Sequence, residues 1–144
     1  MNTSLLLRIS SVLALLLAAG HTSGGLSSWS PAGETEVLRA MRSFHFDAAG
    51  ASRTYLDFYL GFGFVNGVFL LMQAVVFWQL ASIAKTDAFR VRPLIGSFLL
   101  ANAVSAFLAW RFIFVVPVVS FAAIAACLGL AFYSAGVSLS RRAS

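Results

Sequence analysis

Three long stretches of this chain carry no charge at all: Phe58 to Ala84, Pro93 to Trp110 and Phe112 to Ser140. A helix needs about 20 mostly apolar residues to span the hydrocarbon core of a bilayer. A chain of 144 residues with three such stretches has little left from which to build a water-soluble core. The solvent is therefore the constraint that decides the fold, and the sequence predicts an integral membrane protein.

Composition points the same way. Hydrophobic residues make up 60% of the chain and charged residues 10%, against about 25% charged in ordinary globular domains; the mean hydropathy is +0.88. The net charge of +5 does not imply a nucleic-acid partner, because there is no dense Lys/Arg face and no binding motif for RNA or DNA. Cys127 is the one cysteine, so intramolecular disulfides and dithiol redox chemistry are excluded.

A fourth apolar segment, Leu5 to Ala19, is interrupted only by Arg8. With Ala18, Ala19 and Gly20 behind it, the segment also fits a cleaved signal peptide. We read it as a retained helix that extends to His21 or Thr22, with Arg8 snorkelling to the headgroups. The expected fold is all-α: one transmembrane four-helix bundle over residues 1–144, with spans at about 5–22, 56–80, 93–111 and 116–138.

Four spans put both termini and the second connection on one side, with Arg8, Lys85, Arg90, Arg92, Arg141 and Arg142 against Asp87. The other side holds Arg39, Arg42, Arg53 and Arg111, balanced by Glu34, Glu36, Asp47 and Asp57. The positive-inside rule then makes both termini cytoplasmic.

The first connection, from about His21 to Thr54, is the long one. His21 to Ser28 reads as loop, and Ser30-Pro31 reads as a helix start. Val37, Leu38, Met41, Phe44 and Ala48 recur at helical spacing opposite Glu36, Arg39, Arg42 and Ser43. That pattern predicts a short amphipathic helix in the first extracytoplasmic loop, lying on the membrane or over the span ends, and broken by Gly50.

Within the second span, Gly63, Asn66, Gly67, Leu70, Gln73 and Phe77 share one face. The glycines permit close helix approach, whereas Asn66 and Gln73 need partners that lipid cannot supply, in another helix or in a ligand. Pro93 and Pro117 fit the first turns of the next two helices. Ser97, Ala101, Ser105 and Ala109 form a small-residue stripe on one, and Ala122, Ala126, Gly129, Tyr133 and Gly136 form one on the other.

Candidate chemistry gathers at the outer end of this arrangement. Topology places His21, His45, Arg53, Asp57 and Arg111 on one membrane face. His21, Asp57 and Arg111 form a candidate ligand site in which His accepts a proton, Asp orients it and Arg binds an anion. Asn66 and Gln73 join them as ligand-binding candidates. The same residues also fit plainer duties, with Arg111 anchoring at the interface beside Trp110 and Asp57 capping its helix. No catalytic residue and no metal ligand set is assigned: the two histidines lack any zinc spacing, and Gly61-Phe62-Gly63 follows no strand. Haem ligation by His21 and His45 is disfavoured because His45 falls in the expected surface helix, and no cofactor is read.

The segment Ser52-Arg53-Thr54-Tyr55-Leu56-Asp57-Phe58-Tyr59-Leu60-Gly61-Phe62-Gly63 stands out, with Trp78-Gln79-Leu80, Arg92-Pro93, Trp110-Arg111-Phe112 and Pro117. With Gly20-His21 and Phe46-Asp47, it resembles a group of small bacterial multi-pass membrane proteins of unknown function. The resemblance covers most of the chain and implies a retained first helix and a bacterial inner-membrane location; it names no substrate. Two classes of function remain. One is a non-enzymatic bundle that packs with itself, a membrane-protein partner or membrane lipid. The other is a membrane-embedded enzyme or lipophile-binding protein using His21, Asp57 and Arg111.

Overall fold

The computed structural model describes residues 2–30 and 32–143, with side chains as far as residue 137. The chain is essentially all-α. Among the described residues the elements are α1 (Thr3–Gly25), α2 (Glu36–Ser43), β1 (His45–Ala48), β2 (Ala51–Thr54), α3 (Tyr55–Ile83), α4 (Arg92–Phe112) and α5 (Val115–Ala143). Helices α1, α3, α4 and α5 are long and apolar enough to cross a membrane, as a multi-pass membrane protein requires. Each contains the span expected from sequence and runs slightly past it at both ends. Contacts divide the chain into two compact units, one made of Met1–Leu17 with Leu71–Ser144 and the other of Ala18–Leu70.

The first unit has an aliphatic core. Asn2 starts α1 by accepting the Ser4 and Leu5 amides on its Oδ1 at 3.0 and 3.4 Å, a cap worth about 1 kcal/mol. Leu7 and Ala14 of α1, Phe77 and Ala81 of α3, Ile95 of α4, and Ile124, Leu128 and Ala131 of α5 are enclosed together. Phe77 meets Phe98 edge-to-face with ring centres 5.1 Å apart. Serine hydroxyls tie α1 to α3 through its main chain: Ser4 Oγ donates to Ala81 O and Ser11 Oγ to Ala74 O, both at 2.7 Å. Where no water competes, such bonds satisfy a hydroxyl that would otherwise be stranded. Arg8 lays its guanidinium 3.9 Å above the Trp78 ring and Arg92 lays its own 4.2 Å above Phe132, so the long stems lie on apolar surface.

Helices α4 and α5 pack closely along their length, joined through Ile113 and Phe114. Their buried faces overlap the small-residue stripes only in part. On α4 the enclosed residues are Ile95, Asn102 and Ala109, whereas Ser97 and Ala101 are exposed; on α5 they are Ile124, Leu128, Ala131 and Ala135, whereas Ala122, Ala126 and Tyr133 are exposed. Helices this apolar carry hydrophobic residues on every side, so hydrophobic periodicity does not mark the packed face, and small residues occur on either.

In the second unit α1 continues through Gly25, beyond the expected loop start at His21. Tertiary packing makes glycine the required residue there, and not a helix breaker: a Cβ at Gly25 would come within 2.8 Å of the Phe64 ring and 3.0 Å of the Trp29 indole. Ser28 and Trp29 then reverse the chain at φ of 52° and 49°, a left-handed conformation that costs about 1 kcal/mol each. The Trp29 amide donates to Gly24 O at 2.9 Å and holds the turn.

The expected amphipathic helix is present but shorter. It begins at Glu36, where the Thr35 Oγ1 accepts the Leu38 amide at 3.2 Å, and stops at Phe44. Pro31, proposed as its start, lies outside the described residues. Leu38 is buried, while Val37 is exposed. Phe44 and Ala48 do not belong to this helix, because the chain next forms a β-hairpin, with His45 opposite Thr54 and Ala48 opposite Ala51. Ala49 and Gly50 form its two-residue loop at φ of 53° and 86°, both positive as a type I′ turn requires. Asp47 Oδ1 accepts the Gly50 amide at 3.0 Å across this turn. β1 does alternate, with His45 and Asp47 exposed and Phe46 and Ala48 half-buried, but one alternation over four residues also fits a helix continued from Met41, which is why its apolar residues read as helical. His45 consequently sits on a strand and not on a surface helix, with its Nδ1 3.0 Å from Ser43 O.

Candidate functional site

Helix α3 opens with a reciprocal cap. Thr54 Oγ1 accepts the Asp57 amide at 3.1 Å, and Asp57 Oδ2 accepts the Thr54 amide at 2.8 Å. This is the capping box, with aspartate where glutamate is commoner, and it satisfies two backbone donors that the helix cannot. The hairpin delivers Thr54 to this position as the last residue of β2. Asp57 therefore does structural work, and its side chain stays exposed.

Beside this cap lies a shallow open cavity of about 280 Å³, lined by Arg53, Asp57, Phe58, Gly61, Phe62 and Val65. Four of its residues repeat along α3 at the spacing of one helix face, and Val65 sits about 12 Å further along the axis than Asp57 at about 1.5 Å per residue. The cavity thus has a charged end and an apolar floor. An aromatic ladder flanks it: Phe44 stacks on Tyr55 at 5.5 Å, Tyr55 meets Phe46 at 4.9 Å, Phe46 meets Phe58 at 5.4 Å and Phe58 meets Phe62 at 6.1 Å. Such contacts are worth about 0.5–1.5 kcal/mol each beyond area burial and stiffen one wall.

His21 enters a different cluster. Its Nε2 lies 2.8 Å from Gly63 O. A carbonyl oxygen only accepts, so Nε2 carries the hydrogen. The Asn66 side-chain amide is 3.5 Å from the same nitrogen. Trp29 closes this cluster, donating its indole N–H to His21 O at 2.8 Å and placing its ring 5.1 Å from the imidazole, 5.1 Å from Phe64 and 6.0 Å from Tyr59. Gly63 makes room, since a Cβ there would overlap the indole. Sequence reasoning passed over Trp29, although a lone tryptophan amid Gly and Ser is a signal that a loop is anchored by packing.

Gln73 is bonded between helices. Its amide exchanges two hydrogen bonds with Asn102 of α4, Nε2 to Oδ1 at 3.4 Å and Asn102 Nδ2 to Oε1 at 3.2 Å, and Asn102 also donates to Phe98 O at 2.8 Å. Asn102 is 1% exposed, the most thoroughly enclosed amide of the unit. It was not singled out in the sequence, where a lone Asn in an apolar run was the available sign.

Arg111 belongs to the first unit, whereas His21 and Asp57 belong to the second. It is exposed in the last turn of α4, with its guanidinium 5.3 Å from the Phe112 ring centre. A cation there complements the negative end of the helix dipole. The partners of the three candidates are thus Gly63 for His21, Thr54 for Asp57 and Phe112 for Arg111. Among the described residues no group of three or more His, Cys, Asp or Glu side chains is placed to hold a metal ion. Compared with protein-family models, with curated proteins and with solved structures, the chain matches none.

Proposed function

We propose that this chain is a four-span protein of a bacterial cytoplasmic membrane, with both termini inside, that binds membrane lipid in the cavity at the head of α3. The observation that carries the reading is that cavity, which joins a charged end at Arg53 and Asp57 to an exposed apolar floor at Phe58, Phe62 and Val65. Lipid molecules have the same polarity gradient. At about 1.5 Å per residue, α3 is longer than a hydrocarbon core of about 30 Å, so its first turns fall at headgroup depth, where Tyr55 and Tyr59 suit the interface. Retention of α1 is supported by Leu6, Leu7 and Ala14, which form part of the first unit's core. Orientation rests on the bias of Lys and Arg toward the terminal side, and the bacterial assignment on the sequence resemblance.

Native mass spectrometry of gently extracted protein tests the binding. The wild type retains phospholipid, and the Phe58→Ser/Phe62→Ser double variant loses it while keeping its helical circular dichroism. A lipid-free wild type, or equal retention in the variant, overturns the reading. Orientation is read by labelling cysteines introduced into a Cys127→Ala background from outside the cell: Ser52→Cys labels and Thr86→Cys does not.

A further inference from the structure

Two opposite charges share the rim of the α3 cavity without forming an ion pair. Arg53 and Asp57 both line it, yet the ion pair found among the described residues joins Arg42 to Glu34 at 3.5 Å. Arg53 donates one guanidinium N–H to Ser52 O at 3.0 Å. Asp57 commits Oδ2 to the Thr54 amide, and among the described residues no hydrogen bond reaches its Oδ1. Between them the rim presents fork-shaped cationic donors and one carboxylate acceptor, both exposed. Arg53 lies on β2 and Asp57 in the first turn of α3, and with no ion pair between them the rim is positive on one side and negative on the other.

We infer that this rim recognises the headgroup of a zwitterionic phospholipid bearing a primary ammonium, with the phosphate on Arg53 and the ammonium on Asp57. The inference rests on the lipid-binding reading above and names the class of lipid. Guanidinium matches phosphate oxygens in charge and in the geometry of its paired donors. The ammonium donates to Oδ1, and Phe58, which lines the same cavity, supplies an aromatic ring of the kind that attracts a cation. One acyl chain lies along Phe62 and Val65, which are 72% and 52% exposed. An anionic lipid meets Arg53 equally well but brings no cation for Asp57 and places its own negative charge beside the carboxylate. Selection between lipids therefore depends on that repulsion as much as on attraction. Gly61 keeps the floor open, since a Cβ there would have no heavy atom within 4 Å.

The test offers the detergent-purified full chain equal amounts of phosphatidylethanolamine and phosphatidylglycerol with identical acyl chains, and counts bound lipids by native mass spectrometry. The wild type takes up phosphatidylethanolamine in about five- to tenfold excess. Asp57→Asn, which keeps an oxygen for the Thr54 amide and removes the charge, brings the ratio close to one. Gly61→Leu, projecting into free space, lowers uptake of both lipids. Arg53→Gln lies outside the helix, also lowers both, and serves as the second charge variant should Asp57→Asn fail to fold. Lipid uptake without preference, or a preference retained in Asp57→Asn, overturns the headgroup assignment and leaves lipid binding standing. Unchanged uptake in Gly61→Leu or Arg53→Gln also overturns it. Uptake of neither lipid by the wild type overturns both this inference and the proposed function.

Discussion

The two units of this chain solve the same problem with different materials. In the unit of Met1–Leu17 and Leu71–Ser144, buried Leu, Ile and Ala surround Phe77, and the polar demands inside are met between helices by Ser4, Ser11 and the Gln73–Asn102 pair. In the unit of Ala18–Leu70, aromatic rings do the packing, from Trp29 against His21, Tyr59 and Phe64 to the ladder that runs from Phe44 to Phe62. Its main chain bends through left-handed residues and a tight hairpin. Regular helices need only small side chains to approach one another in lipid. Irregular chain needs large, shaped side chains and specific bonds to hold one conformation, since each ordered residue loses about 1–2 kcal/mol of backbone entropy. The open cavity lies where the hairpin meets α3, with Arg53 on β2 and its other lining residues on the helix.

This contrast can be broken most easily at its centre. Phe77→Ala should destabilise the protein by about 3 kcal/mol, the low end for aromatic truncation because lipid solvates the ring in the unfolded state as well. Unfolding titrations in mixed micelles measure it, and a loss below about 1 kcal/mol would mean that the aliphatic core is not tightly packed. Gly63→Val should cost about 2 kcal/mol by expelling the Trp29 indole. With Trp78→Phe and Trp110→Phe leaving one emitter, the Trp29 fluorescence should shift to the red; an unshifted spectrum contradicts the role given to Gly63.

Smaller effects sharpen the picture. Gly50→Ala forces a Cβ into a φ of 86° and should cost about 1 kcal/mol, visible as faster hydrogen exchange in residues 45–54 with the four long helices unchanged. Gln73→Leu and Asn102→Leu, measured singly and together, should give a coupling of about 0.6 kcal/mol, the usual value for a polar contact between membrane helices. Zero coupling would assign both amides to other partners.

Much of the first unit was legible in the sequence because a run without charge leaves a helix few alternatives in oil. The four helix positions followed from it; on the expected face of α3, which continues into the second unit, Gly67, Leu70 and Phe77 are buried, whereas Asn66 is exposed. The packed faces of α4 and α5 did not, since lipid-facing and core-facing residues have the same polarity. The second unit was harder. The hairpin was hidden because its strands are four residues each and because Phe44 and Ala48 happened to fall at helical spacing with Val37 and Met41. For the candidate site, the capping alternative for Asp57 and the interhelical alternative for Gln73 were both readable from position. The pairing of His21 with Gly63 O was not, because a backbone carbonyl leaves no mark in a sequence.

What the sequence alone determined is the class of element and its polarity: charge-free length dictates helix, and helices of that length and apolarity suit a bilayer. The tertiary structure decided which residues those helices bury and where Trp29 inserts. It also decided that Arg53 and Asp57 share a cavity while remaining unpaired. The reason is that burial in an apolar medium depends on shape and on short-range contact, and neither is encoded in the polarity pattern that makes a membrane chain recognisable.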